Sequence, residues 1–169
     1  MCKRVLNEAN DTTLHLNHQI VTKIVDGDGF LTQCSLTRNE FEFRLLGIDA
    51  PEIKYCSKLK QDEKETHIPA QLLIHLGKVA RCSLASLIPP GTSVILKQES
   101  TMHTDIYGRY LVYAYLPSEQ NTSINEIMVR DGYAKPYDKV FCKKLPELQL
   151  LYTQAKLEKR GLFAICNNF

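Results

Sequence analysis

The segment Arg44-Leu-Leu-Gly-Ile-Asp49-Ala-Pro-Glu52 holds a guanidinium, two carboxylates and a proline within nine residues. Proline keeps the residue before it extended, so Ala50-Pro51 makes a bend that can bring Asp49 and Glu52 to one spot. The plainer reading, a strand running into a turn with solvated charges, carries equal weight. Upstream lies Asp26-Gly-Asp-Gly29. Asp28 offers a hard oxygen ligand of the kind Ca²⁺ and Mg²⁺ take; Asp26 either holds a metal-bound water or fixes the turn. The same four residues also make an ordinary turn. Downstream, Asp105-Ile-Tyr-Gly-Arg109 reads alone as a hairpin turn. Paired with Arg44, however, Arg109 is a second guanidinium. Two arginines and a dication are what a pentacoordinate phosphorane requires, because its added charge must be met by preorganised donors. Tyr133-Ala-Lys135-Pro-Tyr137 interleaves aromatics with a lysine, a pattern that can stack bases and touch phosphate, although core tyrosine is commoner. Tyr107 flanks Arg109 and has the same standing. The five histidines show no metal-ligand spacing, and there is no nucleophile elbow or glycine-rich phosphate loop.

These residues need a scaffold, and hydrophobic periodicity supplies one. Ile20–Val25 is rich in β-branched residues and stops at the Asp-Gly-Asp-Gly turn; Phe30–Leu36 follows as a second strand. In Phe41–Leu46 the phenylalanines and Leu45 alternate with Glu42, Arg44 and Leu46, which puts Arg44 opposite the core face. Residues 53–68 read as a polar, lysine-rich loop. Leu72, Leu73, Leu76, Val79, Ala80, Leu84 and Leu87 then recur at threes and fours, predicting a helix that Pro89-Pro90-Gly91 ends. Ser93–Lys97 and Tyr110–Tyr115 are two more strands. Ser123 and Glu126 have capping-box spacing for a helix ending near Asp131-Gly132, and a last helix runs from about Pro146 to Gly161, burying Leu148, Leu151, Tyr152 and Ala155. Five short strands with a helix between the third and fourth predict an α+β fold: a five-stranded OB-type Greek-key barrel with three helices. Residues 1–17 read as a flexible N-terminal arm and 18–169 as one domain.

Bulk composition sets outer limits. The chain has 169 residues, 44% hydrophobic and 24% charged, with a net charge of +2. That balance permits a nucleic-acid partner without arguing for one. No apolar run is long enough for a membrane helix, and the first twenty residues lack the apolar centre of a signal peptide. Six cysteines are many for a cytosolic chain of this size, and none stands in C-x-x-C spacing, which argues against structural zinc. A monomer is the default expectation.

Together, V-x-D-G-D, R-L-L-G-I-D-A-P-E, D-x-Y-G-R and V-x-x-G-Y-A-K, in that order, resemble the staphylococcal nuclease (thermonuclease) family from about Ile20 to Gly161. The resemblance implies an OB-type barrel with three helices and Ca²⁺-dependent hydrolysis of DNA and RNA to 3′-phosphate products; Mg²⁺ satisfies the same oxygen ligands. It implies Asp28, Asp49 and the Ala50 carbonyl as metal ligands and Glu52 as the carboxylate that orients or deprotonates water. Arg44 and Arg109 become phosphate clamps, and Tyr107, Tyr137 and Lys135 substrate contacts. Gly29 departs from the threonine common at that position, and the stretch after Glu52 is longer than in the short prototype. Relatives that keep the barrel and lose the catalytic set bind nucleic acid or protein instead, so a non-catalytic binding module is the alternative. Cys56 and Cys142 resemble a pair of loop cysteines in some relatives, which implies a disulfide beside the site. If this is a trimmed chain with that bond, the compartment is secreted or periplasmic; otherwise it is cytoplasmic.

Overall fold

The computed structural model of the protein describes residues 13–99 and 104–169. In chain order the barrel strands are β1 (Thr13–Ile24), β2 (Gly29–Cys34) and β3 (Glu40–Leu45). The two-residue strand β4 (Ile48–Asp49) and helices α1 (Ser57–Thr66) and α2 (Ala70–Leu87) follow. Then come β5 (Ser93–Glu99), β6 (Tyr110–Tyr115), α3 (Ile124–Arg130), β7 (Lys135–Pro136) and α4 (Leu145–Leu157), with a short 3₁₀ turn at Gly161–Ala164.

The closed barrel has the order β1-β2-β3-β6-β5, with β1 pairing to both β2 and β5. Two bulges, between Leu16 and Gln19 and between Val21 and Lys23, bend β1 so that one strand serves two neighbours. The β3–β6 seam is parallel, with Phe43 opposite Tyr110 and Arg44 opposite Leu111; the other ladders are antiparallel. This is the α+β, OB-type barrel that the strand pattern predicts.

The alternation in β3 holds. Phe43 and Leu45 are buried in the main core, where the Phe43 ring lies 5.8 Å from Phe30 and 5.7 Å from Tyr110. Each fully buried side chain of this size contributes roughly 1.5–3 kcal/mol. Leu46 faces a second cluster with Leu111, Tyr113, Tyr115, Cys142 and Leu145. Helix α2 buries Leu73, Leu76, Ala80 and Leu84 and ends two residues before Pro89. Ser123 and Glu126 form the capping box of α3.

Three features differ from the sequence reading. Residues 1–12 of the expected arm lie outside the described residues, but from Thr13 the chain already pairs with β5, so the arm does not extend to residue 17. The loop at 53–68 contains helix α1, which gives four α-helices where three were expected. Only Leu59 of α1 is buried, so the helix has no apolar stripe to read. Its start is set locally: Cys56 caps it, accepting from the Leu59 N–H at 3.4 Å. The last helix ends at Leu157, four residues before Gly161.

Candidate active site

Strand β3 delivers Arg44, and the chain then turns through Gly47 into β4, which carries Asp49. Gly47 has φ 77°, a conformation that favours glycine, and a Cβ there would lie 2.6 Å from Cys142 Sγ. Strand β4 pairs with β7, Asp49 opposite Lys135, and the Tyr137 N–H donates to the Gly47 carbonyl at 2.9 Å. This small sheet brings the Lys135-Pro-Tyr137 segment beside the carboxylate. The Arg44 guanidinium lies 5.8 Å from the Tyr137 ring centre, within reach of a cation–π contact.

The Asp26-to-Gly29 turn delivers Asp28. Asp26 Oδ1 accepts from the Asp28 N–H at 3.2 Å, a contact that fixes the turn. Asp28 Oδ2 accepts from the Ala50 N–H at 3.2 Å and lies 3.1 Å from Arg44 Nη2. The same Arg44 nitrogen donates to Asp49 Oδ1 at 2.9 Å. One guanidinium thus bridges both acidic side chains.

Packing of α2 holds this region close. A Cβ at Gly27 would lie 2.5 Å from Ala50 Cβ and 2.9 Å from Ala80 Cβ. One at Gly77 would lie 2.5 Å from both the Pro51 and Glu52 carbonyl oxygens. The bend holding Glu52 rests directly on the helix.

Lys58 is the residue the sequence reading missed. From the first turn of α1 its Nζ reaches Asp49 Oδ1 at 2.9 Å, Glu52 Oε1 at 3.0 Å and the Ala50 carbonyl at 3.2 Å. Only the recognition that 57–66 is helical would have pointed Lys58 back at the bend.

The electrostatics follow from burial and these contacts. Asp28 is enclosed, and burial pushes its carboxyl up to about 7; Arg44 opposes the shift, while Asp26 and Asp49 add to it. Burial also works on Asp49, but Lys58 and Arg44 outweigh it and hold the group below the ordinary carboxylate range. Arg44 and Lys58 are held firmly charged: burial alone would lower them, and the facing carboxylates overcome it.

A cleft of about 950 Å³ opens over this cluster. Arg44, Asp49, Lys58, Tyr107, Arg109, Lys135 and Tyr137 all line it. Arg109 arrives from the turn before β6. Asp105 organises that turn, accepting from the Tyr107 and Arg109 N–H groups at 2.9 Å each and from Arg109 Nε at 2.8 Å. Tyr107 is 79% exposed and its ring lies 5.7 Å from the Arg109 guanidinium. The Lys135 ammonium donates to the Phe169 carbonyl at 3.2 Å. Glu52 does not line the cleft: it borders a smaller pocket with Asp26, Lys54 and Arg81, and it is paired with Lys58, which does line the cleft.

Among the described residues, no group of three or more His, Cys, Asp or Glu is arranged to hold a metal. What converges instead is two carboxylates and a main-chain carbonyl, and they converge on the Lys58 ammonium. These are hard oxygen donors, chemically suited to Ca²⁺ or Mg²⁺.

The implied Cys56–Cys142 disulfide is not formed; both are free thiols. Cys56 is occupied at the N-terminus of α1. Cys142 is buried in the cluster around Leu46 and Tyr113, where burial pushes its thiol up and disfavours the thiolate needed for exchange.

No described helix is long and apolar enough to cross a membrane. An uncharacterized protein of Methanocaldococcus jannaschii is 28% identical over 162 residues, spanning 94% of this chain and 76% of that protein. Residues 42–164 match the family described as staphylococcal nuclease homologue. That range takes in Arg44, Asp49, Glu52, Lys58, Arg109, Lys135 and Tyr137, while Asp26 and Asp28 precede it. With the barrel, the parallel seam and the arginine-lined cleft in agreement, the chain belongs to the staphylococcal nuclease homologue family.

Proposed function

We propose that the protein is a metal-dependent nuclease that hydrolyses phosphodiester bonds of DNA or RNA and leaves 3′-phosphate products. The observation that carries this reading is a cleft lined by both Arg44 and Arg109 over the Asp49 carboxylate. A phosphodiester entering the cleft meets two guanidiniums, which gain most as charge builds on the phosphorane, so their contribution is to the rate and not only to binding. Arg44 is preorganised by Asp28 and Asp49, and Arg109 by Asp105. Tyr107 and Tyr137 offer rings for the flanking nucleotides. Glu52 orients the attacking water and takes its proton. Asp28, Asp49 and the Ala50 carbonyl would hold the cation, Ca²⁺ by preference, whose chemistry is to polarise a non-bridging oxygen and neutralise charge.

A fluorescent single-stranded oligonucleotide tests this, incubated with Ca²⁺, Mg²⁺ or EDTA. Cleavage is expected with a divalent ion and lost on chelation. Glu52→Ala and Arg109→Ala should each lower kcat by about 10²–10⁴-fold. Near-wild-type cleavage by both variants would sink the assignment. A second reading, a nucleic-acid-binding module without catalysis, draws on Lys58, whose ammonium already neutralises the carboxylates. Binding without cleavage under every ion condition would select it.

A further inference from the structure

We infer that Lys58 is a tethered cation occupying the seat of the divalent metal, and that it must swing out before the metal can bind. The inference deepens the nuclease reading and rests on it for the identity of the metal seat. Its Nζ has oxygen neighbours on three sides: Asp49 Oδ1, Glu52 Oε1 and the Ala50 carbonyl, all within 3.2 Å. Two of these, Asp49 and Ala50, are donors the metal needs, and an ammonium and a dication cannot share them. The lysine lines the large cleft and Glu52 does not, so while Lys58 is in place the water-orienting carboxylate is engaged by its ammonium.

The side chain has a way out. It is 32% exposed and lines the cleft, and it sits at the start of α1 on a flexible four-carbon stem. One helical turn further on, Asp62 also lines the cleft, a third carboxylate, at i+4, that can receive the displaced ammonium. Lys58 therefore has two seats: one that holds the acidic cluster together without metal, and one that clears it.

The test measures metal binding directly, by calorimetry with CaCl₂ and by tyrosine-sensitised Tb³⁺ luminescence, on the full chain at fixed pH. Lys58→Met keeps the stem and removes the charge; Lys58→Gln is the second variant should the first fold poorly. Breaking charge-assisted contacts of this kind removes a competitor worth about 10- to 100-fold in affinity, so either variant should bind Ca²⁺ that much more tightly than wild type. Adding Asp49→Asn to Lys58→Met should erase the gain. Without metal, the variant should melt at lower temperature than wild type, because Glu52 loses the ammonium it pairs with and Asp49 keeps only Arg44, and millimolar Ca²⁺ should restore it. Equal or weaker Ca²⁺ binding by both Lys58 variants overturns the inference. So does wild-type cleavage that persists in EDTA and vanishes in Lys58→Met, which makes Lys58 a permanent stand-in for the metal and leaves the nuclease reading intact. Tighter metal binding by the variants with no cleavage by any form supports the tethered-cation inference and overturns the nuclease reading alone.

Discussion

Asn125 is fully buried in α3, and its amide spans three main-chain groups. Nδ2 donates to the Leu46 carbonyl at 2.9 Å and the Val112 carbonyl at 3.1 Å, while Oδ1 accepts from the Ala114 N–H at 3.1 Å. One side chain thereby ties α3 to β6 and to the end of β3, two residues beyond Arg44. Asn125→Ala strands these groups unequally. The Val112 carbonyl keeps the Leu46 N–H as a donor at 2.8 Å, so the loss falls on the Leu46 carbonyl and the Ala114 N–H. Each buried group left without a partner costs about 1–3 kcal/mol, giving roughly 2–6 kcal/mol in all. That is a large share of the roughly 5–15 kcal/mol a domain has. Urea unfolding followed by circular dichroism measures it; the midpoint should drop with the slope unchanged. Asn125→Asp keeps the acceptor for Ala114 but turns a second acceptor towards two carbonyls. It should be no milder than alanine at pH 7 and milder at pH 4, where the protonated acid can donate once. A loss under about 1 kcal/mol for Asn125→Ala would refute the claim that this amide is what locks α3 to the barrel.

Three further outcomes are expected. Gly77→Ala would gain about 1 kcal/mol from helix propensity alone, yet its Cβ would press on the Pro51 and Glu52 carbonyls at 2.5 Å, so the net effect should be a loss of about 1–3 kcal/mol, read by thermal melting. Asp28 has a carboxyl raised from 3.8 to about 7 in the folded chain, so the folded state binds its proton more tightly and stability falls as pH rises through that window. Asp28→Asn should therefore stabilise the metal-free protein by about 2–4 kcal/mol at pH 8 in EDTA, the gain closing towards pH 4; no gain at pH 8 would count against a buried, strained carboxylate. Burial pushes Glu126 up from 4.5, but hydrogen bonds from Lys144 and Ser123 outweigh it and hold it low. A lowered acid stabilises above its unfolded value and loses that contribution as pH falls through the folded one. Lys144→Met should then cost about 1–3 kcal/mol at pH 7 and far less at pH 3, by the same melts.

What could be read in advance follows what each element buries. β3 and α2 announce themselves because Phe43 and Leu45, or Leu73, Leu76, Ala80 and Leu84, repeat at the period of their structure. Helix α1 buries Leu59 alone, so its helicity rests on propensity and a sulfur cap, neither of which leaves a periodic trace. Strands β4 and β7 have two residues each and exist only because the chain folds Lys135 against Asp49. The acidic cluster and both arginines were legible as residue types in order. Lys58 was not, since its role depends on where α1 starts. The upward shift at Asp28 was not either, since its largest cause is enclosure by the fold, with Asp26 only adding to it.

The parallel β3–β6 seam has a consequence for how the protein comes into being. Arg44 lies in one strand of that seam and Arg109 immediately before the other, and β4, α1, α2 and β5 all lie between them. Closing so long a loop must precede any reward from the contact, so this seam is among the slower pairings to form. A chain caught short of it has each arginine but no pair. If the arginines clamp phosphate as proposed, recovery of phosphate binding during refolding would serve as a clock for the moment the barrel shuts, later than the helical signal and simultaneous with burial of Phe43 against Tyr110.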